Sequence, residues 1–457
     1  MADAAHPVAS ADVDDVERRY TVDEALSIAQ RLHRDGHLAQ AGQIYRAVLA
    51  QRPGQADALH FLGVLKHQQG DSAAAVELIG QAIAALPGEA GPWNNLGNVY
   101  VESGRLDDAV QAYGRCLSLA PDFADALNNL GTVHSARSEW ADAEACYQRA
   151  VAVKPDFADA YNNLAKLMLA QHRVREAVTF ACKAITVLPR DPEARKLLGL
   201  AYYTLREIDK AAEVYRDWLA DVPDDPIARH HLAACTGRDV PTRASDAYVQ
   251  HTFDAFADSF DAKLQRLSYR APQLVAAALR ERCGEPAGTL DIFDAGCGTG
   301  LCGPLLRGHA RSLAGVDLSP RMLERAHRRG VYDRLIVGEL TACLAAQAGA
   351  CDVVVSADTL CYFGDLDAPV HAARTALRRG GWLLFTVEAL PDGAEATYAL
   401  QAHGRYAHAR AYVVACLADA GFDQVSTVAE VLRREGGLPV DGWLVAARKP
   451  VAESAEA

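Results

Sequence analysis

The feature that most constrains the fold of this chain is a proline that recurs every 34 residues through its first half. Because proline lacks a backbone N–H and clashes with the preceding helical turn, each one is expected to end a helix. A fixed period of this length is typical of a solenoid, in which one supersecondary unit is stacked many times. The six positions are Pro53, Pro87, Pro121, Pro155, Pro189 and Pro223.

The residues between the prolines keep the same register. When units are counted from residues 22, 56, 90, 124, 158 and 192, the seventh position is Ile or Leu, the eighth Ala or Gly, and the twentieth Ala. Small residues at these positions let two helices approach closely, and a tyrosine fills the gap in four units. This pattern resembles tetratricopeptide repeats. The resemblance implies an all-α array over residues 21–237, with about six helix pairs and a closing helix from Pro226 to Cys235.

Asparagines recur on one side of the first helix of a unit. At about 100° per residue, the sixth and ninth positions lie opposite the packed stripe. An amide there can donate to and accept from an extended peptide backbone. The ladder resembles the one that holds peptide in the repeats of O-linked N-acetylglucosamine transferases, whose catalytic half is not visible here, and it implies a protein or peptide partner. The alternative is that Asn-Asn-Leu is common in such repeats and stays solvated. The groove residues are Asn95, Asn98, Asn129 and Asn163.

The repeat period ends at residues 238–247, which are predicted to form a linker. Aromatic and apolar residues then recur at helical spacing over 248–267, which predicts one amphipathic helix. This stretch resembles the helix that covers the cofactor cleft in methyltransferases of the ubiquinone and malonyl-carrier-protein type. Its apolar positions are Phe253, Phe256, Phe260 and Leu264.

Apolar runs and helical stretches alternate through residues 290–388, which predicts a parallel sheet covered on both faces. The chain then carries two strands joined by a short turn, Phe422 to Leu432 and Trp443 to Arg448, and such strands pair antiparallel. A five-stranded parallel sheet closed by this hairpin resembles the α/β Rossmann-like fold of class I S-adenosylmethionine-dependent methyltransferases. The resemblance implies a seven-stranded domain over residues 248–449.

A glycine turn follows the first predicted strand, from Asp294 to Gly300, and its glycines let backbone N–H groups approach a ligand. The turn matches the Asp-x-Gly-x-Gly-x-Gly motif of these methyltransferases. Asp317 matches the acid that accepts from both ribose hydroxyls of S-adenosylmethionine. By the same resemblance, Asp294 accepts from the cofactor's ammonium group, directly or through water, Leu318 packs on adenine, and Glu339 stands where Asp usually binds the adenine amino group. The implied cofactor-binding residues are Asp294, Gly296, Cys297, Gly298, Gly300, Asp317, Leu318, Glu339 and Leu340.

The same turn permits a second interpretation, a nicotinamide dinucleotide site. Gly298-x-Gly300-x-x-Gly303 is a formal fingerprint, and Asp317 follows Gly298 by 19 residues, close to the roughly 20 expected. Asp294 opposes it, because an acid is unfavourable near a pyrophosphate and favourable beside a cationic cofactor. The predicted C-terminal hairpin also belongs to the methyltransferase sheet. The sequence therefore favours S-adenosylmethionine over NAD(P).

The acceptor of the methyl group is not readable from the sequence. The cofactor carries the reactive group, so the protein has to orient, desolvate and, where needed, deprotonate the acceptor. Two hypotheses follow: an active methyltransferase whose repeats recruit a protein or carrier-bound substrate, or a scaffold that binds cofactor without turnover. A carboxylate acceptor would need no base. Tyr362 and His408 are the catalytic candidates, within a wider set of possible bases that also includes Glu388, Tyr406 and Tyr412.

Composition limits the partners further. A net charge of −13 without a basic block argues against nucleic acid and acidic membranes. The eleven cysteines lack metal-ligand spacing, so we expect no metal site and free thiols in a reducing cytoplasm. No leader pattern or membrane-spanning apolar run is apparent. The small, polar and acidic segments 1–20 and 450–457 are expected to be disordered.

Overall fold

The computed structural model describes residues 20–257, 260–391, 393–401, 403–435 and 438–451. The expected disorder of the two ends lies almost wholly outside these residues. By its contacts the chain divides into two compact units. The first is Met1–Leu167 with Thr186–Pro189, and the second is Met168–Ile185 with Arg190–Ala457.

Helices fill the first half of the described chain, as the proline period predicts. The first helix of every repeat begins at the predicted unit start, and the second ends two residues before the proline. A closing helix follows, so the predicted all-α repeat array is confirmed. The helices are α1 Val22–Arg34, α2 Leu38–Gln51, α3 Ala56–Gln68, α4 Ser72–Ala85, α5 Ala90–Glu102, α6 Leu106–Leu119, α7 Ala124–Ala136, α8 Trp140–Val153, α9 Ala158–Ala170, α10 Val174–Val187, α11 Pro192–Thr204, α12 Ile208–Asp221 and α13 Pro226–Thr236.

The eighth position of a repeat is small because the paired helix lies directly against it. A Cβ added to Gly97 would lie 2.4 Å from the ring of Tyr113, and one added to Gly131 would lie 2.7 Å from Tyr147. Both tyrosines are buried. The glycine that lets the two helices approach and the tyrosine that fills the space between them therefore belong to one packing feature, as their shared period predicts.

The stretch after the repeats forms three helices, α14 Asp246–Phe256, α15 Phe260–Arg266 and α16 Ala271–Cys283. The prediction of one continuous helix over 248–267 is therefore wrong, since α14 ends at Phe256 and a separate helix, α15, begins at Phe260. The ring centroids of Phe253 and Phe260 lie 5.9 Å apart, in an edge-to-face arrangement. The apolar faces still meet, although they belong to two short helices. The side chain of Phe256 lies outside the described part.

The α/β domain contains one mixed sheet. Its main path is β3-β2-β1-β4-β5-β9-β8, in which β1 to β5 run parallel while β8 and β9 form the predicted antiparallel hairpin. The strands are β1 Leu290–Ala295, β2 Ala310–Asp317, β3 Arg334–Val337, β4 Cys351–Ser356, β5 Leu377–Ala389, β6 Tyr398–Leu400, β7 Tyr406–His408, β8 Asp423–Glu435 and β9 Leu438–Arg448. The helices between them are α17 Gly303–Leu306, α18 Pro320–Arg328, α19 Leu340–Ala345, α20 Asp367–Ala376 and α21 Arg410–Asp419.

Two strands were not expected, so the described sheet has nine strands rather than seven. Strand β7 pairs parallel with the end of β5 beyond β4, and β6 pairs antiparallel with β7. Both have three residues, which is too short for an alternating pattern to be recognised.

The central parallel strands β1 and β4 are largely buried on both faces, as their apolar sequences require, whereas the edge strand β3 is partly exposed. In β4, Val354 packs in one cluster with Phe293, Phe385 and Leu417, whereas Val353 and Val355 pack on the opposite face. The cavity described below opens where several of these strands end. Among the described residues, no helix combines the length and the apolar character that crossing a membrane requires.

Candidate functional site

A cavity lies at the carboxyl ends of β1, β2 and β4, where ligands bind in open α/β sheets. Helices α14 and α15 contribute Phe253, Phe260 and Leu264 to its wall. Seven of the nine cofactor residues implied by the resemblance line this cavity: Gly296, Cys297, Gly298, Asp317, Leu318, Glu339 and Leu340. Asp294 and Gly300 do not line it.

The glycine turn is held tightly against the neighbouring strands. Gly296 and Gly298 have φ of +80° and +54°, in the region that favours glycine. A Cβ on Gly296 would lie 2.2 Å from the side chain of Thr359, whose hydroxyl donates to the Gly296 carbonyl at 3.0 Å. The turn therefore brings bare backbone to the cavity wall.

Asp317 closes this turn from the adjacent strand. Its carboxylate accepts from the N–H of Gly298 and the N–H of Ser319, both at 2.9 Å. Burial raises the pKa of Asp317, and these backbone donors oppose that rise. The side chain is only partly buried and faces the cavity. It is therefore a fixed acceptor at the end of β2.

Asp294 lies behind the turn rather than on the cavity wall. It is fully buried, and its Oδ2 accepts from the hydroxyl of Tyr332 at 2.6 Å, whereas Oδ1 has no hydrogen-bond partner among the described residues. Burial raises the pKa of Asp294 to about 7. Direct contact of this carboxylate with a ligand in the cavity, which the resemblance allowed, is not supported by this position.

Tyr332 also explains two of the glycines. A Cβ on Gly300 would lie 2.9 Å from its ring, and one on Gly303 would lie 2.6 Å away. These glycines therefore leave room for the ring of Tyr332, whose role was not predicted from the sequence. The helix that follows the turn, α17, has only four residues. The nicotinamide dinucleotide interpretation therefore lacks the longer helix whose N-terminus would hold a pyrophosphate.

Glu339 has a structural role in addition to its place on the cavity wall. Its carboxylate oxygens accept from the N–H groups of Thr341 and Ala342, at 3.0 and 2.8 Å, and so cap α19. An N-cap acid satisfies helix donors that would otherwise be unpaired.

The two catalytic candidates differ in position. Tyr362 lines the cavity, its ring centroid lies 5.4 Å from that of Phe253, and burial raises its pKa well above the usual value. His408 does not line the cavity, because its Nε2 donates to the carbonyl of Phe363 at 2.8 Å and its side chain is fully buried. Burial lowers the pKa of His408 to about 4. His408 is therefore a buried side chain held by the backbone of residues 363–364, outside the cavity wall.

The other three possible bases are also engaged. The Tyr406 hydroxyl donates to the carbonyl of Pro241 at 2.7 Å, and the Tyr412 hydroxyl accepts from the N–H of Leu366 at 2.9 Å. Glu388 is buried between two arginines. None of these three side chains lines the cavity.

A buried ion cluster beside the cavity was not foreseen. Arg433, 3% exposed, donates to both oxygens of Asp358 at 3.0 and 2.7 Å, and also to Glu388 and Glu435. Arg405 donates to Glu388 and, at 2.7 Å, to Glu435. Burial alone would raise the pKa of Glu388, but the two guanidinium groups lower it to about 2. In the sequence, this cluster is indicated only by charged residues within otherwise apolar strands.

The cluster holds a strained residue. Asp358 follows β4 with φ of +57°, which is unfavourable for a residue with a side chain. Its N–H donates to the hydroxyl of Thr386 at 2.8 Å, and both oxygens of its carboxylate accept from Nη1 of Arg433. Such strain persists where the surroundings over-determine it. The cluster thereby fixes the backbone that leads to Thr359 and Tyr362.

The predicted groove asparagines form hydrogen bonds from one repeat to the next. Asn129 Nδ2 donates to Asn94 Oδ1 at 3.3 Å and to Asn98 Oδ1 at 3.0 Å. Asn163 Nδ2 donates to Asn128 Oδ1 at 2.9 Å. The solvated alternative therefore does not describe their amide nitrogens. The fifth-position asparagines, Asn94 and Asn128, were missed as partners although the Asn-Asn pair itself repeats.

The network extends to the second repeat through a histidine. Asn95 Nδ2 lies 2.8 Å from Nε2 of His60, which is 7% exposed. Burial lowers the pKa of His60 to about 4, so the neutral ring accepts this hydrogen bond at Nε2. In the described part of the array, no donor contacts Oδ1 of Asn129 or Asn163. These two oxygens are therefore candidate acceptors for the N–H groups of a bound peptide.

One group of potential metal ligands occurs in the array. Atoms of His134, Glu139 and Asp142 lie within 4.8 Å of one another. Glu139 accepts from His134 Nδ1 at 2.5 Å and pairs with Arg137 at 3.1 Å, so an ion pair accounts for the arrangement. All eleven cysteines are free thiols.

Comparison with known proteins agrees with both halves. The family model described as "Methyltransferase domain" matches residues 293–385, and models described as "Tetratricopeptide repeat" match 26–90, 88–156, 130–186 and 192–235. The methyltransferase match begins inside β1 and includes the glycine turn and Asp317.

Similar proteins match parts of the chain. Methyltransferase-like protein 27 of Homo sapiens is 41% identical over 86 residues, 19% of this chain and 35% of its own length. A malonyl-[acyl-carrier protein] O-methyltransferase of Erwinia pyrifoliae is 30% identical over 140 residues, 29% of this chain and 52% of its own length. The crystal structure of MamA has 24% identity and a TM-score of 0.32, covering 35% of this chain and 94% of MamA.

The chain therefore spans about a third to a half of the length of these curated methyltransferases. Repeat period, sheet topology and family matches agree on the two parts of the molecule. The chain carries a tetratricopeptide repeat array followed by a methyltransferase domain.

Proposed function

We propose that the protein transfers a methyl group from S-adenosylmethionine to an acceptor that is recruited by the repeats. The observation that carries this proposal is Asp317, a fixed carboxylate at the end of β2 that faces the cavity next to the bare backbone of Gly296 and Gly298. A carboxylate with two oxygens suits a pair of adjacent hydroxyl donors. Leu318 and Leu340 supply apolar surface beside it for a planar base.

These residues fit the proposed cofactor by chemistry. When bound, S-adenosylmethionine supplies an electrophilic methyl group. Asp317 would hold the ribose, the glycine turn would lie against the methionyl part, and Phe253, Phe260 and Tyr362 would exclude water from the reacting atoms. Asp294 would act from behind the turn, through its charge and its bond to Tyr332.

The wall offers no uncommitted base among its described residues. Asp358 and Glu435 are paired with arginines, and Asp317 and Glu339 accept from backbone N–H groups. Tyr362 keeps its proton at neutral pH, because burial raises its pKa. The acceptor is therefore proposed to arrive as a nucleophile that needs no deprotonation, such as a carboxylate or a nitrogen lone pair. Tyr362 would then orient the acceptor rather than remove its proton.

Calorimetric titration of the full chain with S-adenosylmethionine tests the cofactor. Asp317→Asn replaces one acceptor oxygen by a donor that faces backbone N–H groups, so we expect affinity to fall at least about tenfold. Asp333→Asn is the matched control, since Asp333 also accepts from a backbone N–H, that of Leu313 at 2.7 Å, but lies outside the cavity lining. No binding by the wild type, or equal loss in both variants, would contradict the assignment.

Turnover distinguishes an enzyme from a scaffold. Native lysate would be incubated with tritiated S-adenosylmethionine and the full chain, with Asp317→Asn as the control. Label above the control supports methyl transfer. Binding without label in any acceptor would favour the scaffold, in which the cavity binds cofactor and the repeats alone carry the function.

We also propose that the array binds an extended peptide through the oxygens of Asn129 and Asn163. Their amide nitrogens are already bonded to the preceding repeat, so acceptor oxygens remain for peptide N–H groups. A displayed peptide library would be selected on the full chain and then on Asn129→Ala/Asn163→Ala. The control is Gln148→Ala, which removes an exposed amide on the second helix of a repeat. Equal retention of the selected peptides by both variants would contradict the proposal.

A further inference from the structure

The closing helix of the repeats makes a buried hydrogen bond to the methyltransferase domain. His230, in α13, is 4% exposed, and its Nε2 lies 2.9 Å from the carbonyl oxygen of Gly404. A carbonyl only accepts, so His230 must carry its proton on Nε2 and donate it. Burial lowers the pKa of His230, which favours this neutral ring. Both residues belong to the second compact unit.

Gly404 is enclosed on its other side by the first helix of the methyltransferase domain. Its φ is +88°, and a Cβ there would lie 2.2 Å from the hydroxyl of Tyr248 in α14. The Tyr248 ring stacks on His230 with centroids 3.9 Å apart. The Gly404 turn is also tied to itself, because Gly404 N–H donates to Gln401 and Gln401 N–H donates to Arg405, both at 2.8 Å.

The residue after Gly404 reaches the cavity. Arg405 lines the wall, and its Nε and Nη2 bind Glu388 and Glu435 of the buried ion cluster. The carbonyl that His230 holds therefore belongs to the residue directly before a cavity arginine. A shift of the Gly404 turn would move the Arg405 backbone and weaken its hold on both carboxylates.

The segment predicted as a linker provides a second connection. Ala244 N–H donates to the carbonyl of Tyr362 at 2.8 Å, and the N–H groups of Gly364 and Asp365 both donate to the carbonyl of Thr242 at 2.8 Å. Arg243 and Ala244 line the cavity. Residues 238–247 are thus paired with the chain that carries Tyr362, and α13 leads directly into them.

We infer that His230 is a positioning residue for the methyl-transfer cavity, which it shapes through the Gly404 turn and Arg405. The last repeat is then part of the catalytic unit. That the cavity carries out methyl transfer rests on the proposed function, whereas the positioning of Arg405 by His230 does not.

Hydrogen–deuterium exchange of the cofactor-free full chain tests the positioning. His230→Leu removes the donor and leaves the Gly404 carbonyl buried without it, so amides of peptides covering Gly404 to His408 should exchange about tenfold faster. His230→Gln keeps a donor and should restore most of the protection. His309→Leu is the matched control, since His309 is also 4% exposed but lies between α17 and β2, outside the cavity lining. It should leave this segment protected.

Calorimetry with S-adenosylmethionine tests the consequence for the cavity. His230→Leu should weaken binding about tenfold, whereas His230→Gln and His309→Leu should stay within about threefold. If His230→Leu does not fold, His230→Asn, whose shorter amide does not reach Gly404, replaces it. Unchanged exchange or unchanged affinity in the donor-free variant would overturn the inference, as would an equal effect of His309→Leu. If wild type does not bind S-adenosylmethionine while exchange responds as expected, the proposed function fails and the positioning of Arg405 stands.

Discussion

The repeat array and the methyltransferase domain bury their polar side chains in opposite ways. In the array, neutral amides bond to amides about one repeat away, as between Asn163 and Asn128, and the arrangement recurs along the solenoid. In the domain, charges from strands β5 and β8 and from the segment after β4 meet around Arg433. Removal of one amide should therefore have a local effect, whereas removal of one charge leaves several partners uncompensated. Four predictions test this difference, from the largest expected effect to the smallest.

Arg433→Met should destabilise the methyltransferase domain by about 3–5 kcal/mol, because breaking a buried ion pair strands the remaining charge. Here Asp358 would lose its guanidinium partner, and Glu388 would lose one of its two. Thermal denaturation of the full chain, resolved by domain through hydrogen exchange, measures the effect. Arg434→Met removes an exposed arginine next to it and serves as the control. A loss of stability no larger than that of Arg434→Met would contradict the proposed difference between the array and the methyltransferase domain.

Gly97→Ala should destabilise the array by about 1–3 kcal/mol, because the new methyl group overlaps the Tyr113 ring. Gly114→Ala is the matched comparison, since α6 has open space at that position. It should stabilise by about 0.5–1 kcal/mol through helix propensity. Urea denaturation of both variants gives the two signs, and identical signs would refute the packing explanation.

Asn129→Ala should cost the array about 1–2 kcal/mol, since it removes donors to Asn94 and Asn98. Protection from hydrogen exchange should fall in α5 and α7 and stay unchanged in the α/β domain. Loss of protection throughout the chain would show that the amide network is not local.

Acidification should weaken the array through His60 before Glu388 loses its contribution to stability. The pKa of His60 is lowered to about 4 from its ordinary 6.5, so the stability that it contributes is present above pH 6.5 and is lost as the pH falls from 6.5 through 4. Glu388, whose pKa is lowered to about 2, loses its contribution only between its ordinary pKa of 4.5 and 2. At pH 5.5 we expect about 1 kcal/mol less stability in the array. His60→Gln, which keeps an acceptor without titrating, should abolish this slope in a pH series of melting curves.

The same contrast explains which features could be predicted from the sequence. Helix starts at 22, 56 and 90 follow from a local period, as does the Gly97–Tyr113 pair. Strands β1 to β5 and the closing hairpin follow from apolar runs and connection length. The glycine turn and Asp317 were recognisable because motif and strand end coincide in sequence.

The features that sequence reasoning missed are all brought together by the fold. Tyr332 reaches Asp294 from 38 residues away, and His230 reaches Gly404 across 174 residues. The isolated residues carry no spacing that indicates such partners. For a related reason, the position of His408 before a helix does not specify which way its side chain points.

The contact between α13 and the methyltransferase domain limits where the repeats of one such protein can be fused to the methyltransferase domain of another. An exchange of recognition modules at 238–247, where the sequence suggests a natural joint, would cut a hydrogen-bonded part of the cavity. A graft that keeps residues 168–457 from one parent preserves the second compact unit and every contact from His230 to Arg405. Repeats from another protein could then be joined upstream of that junction. The partner bound by the repeats would change while the cavity stays the same.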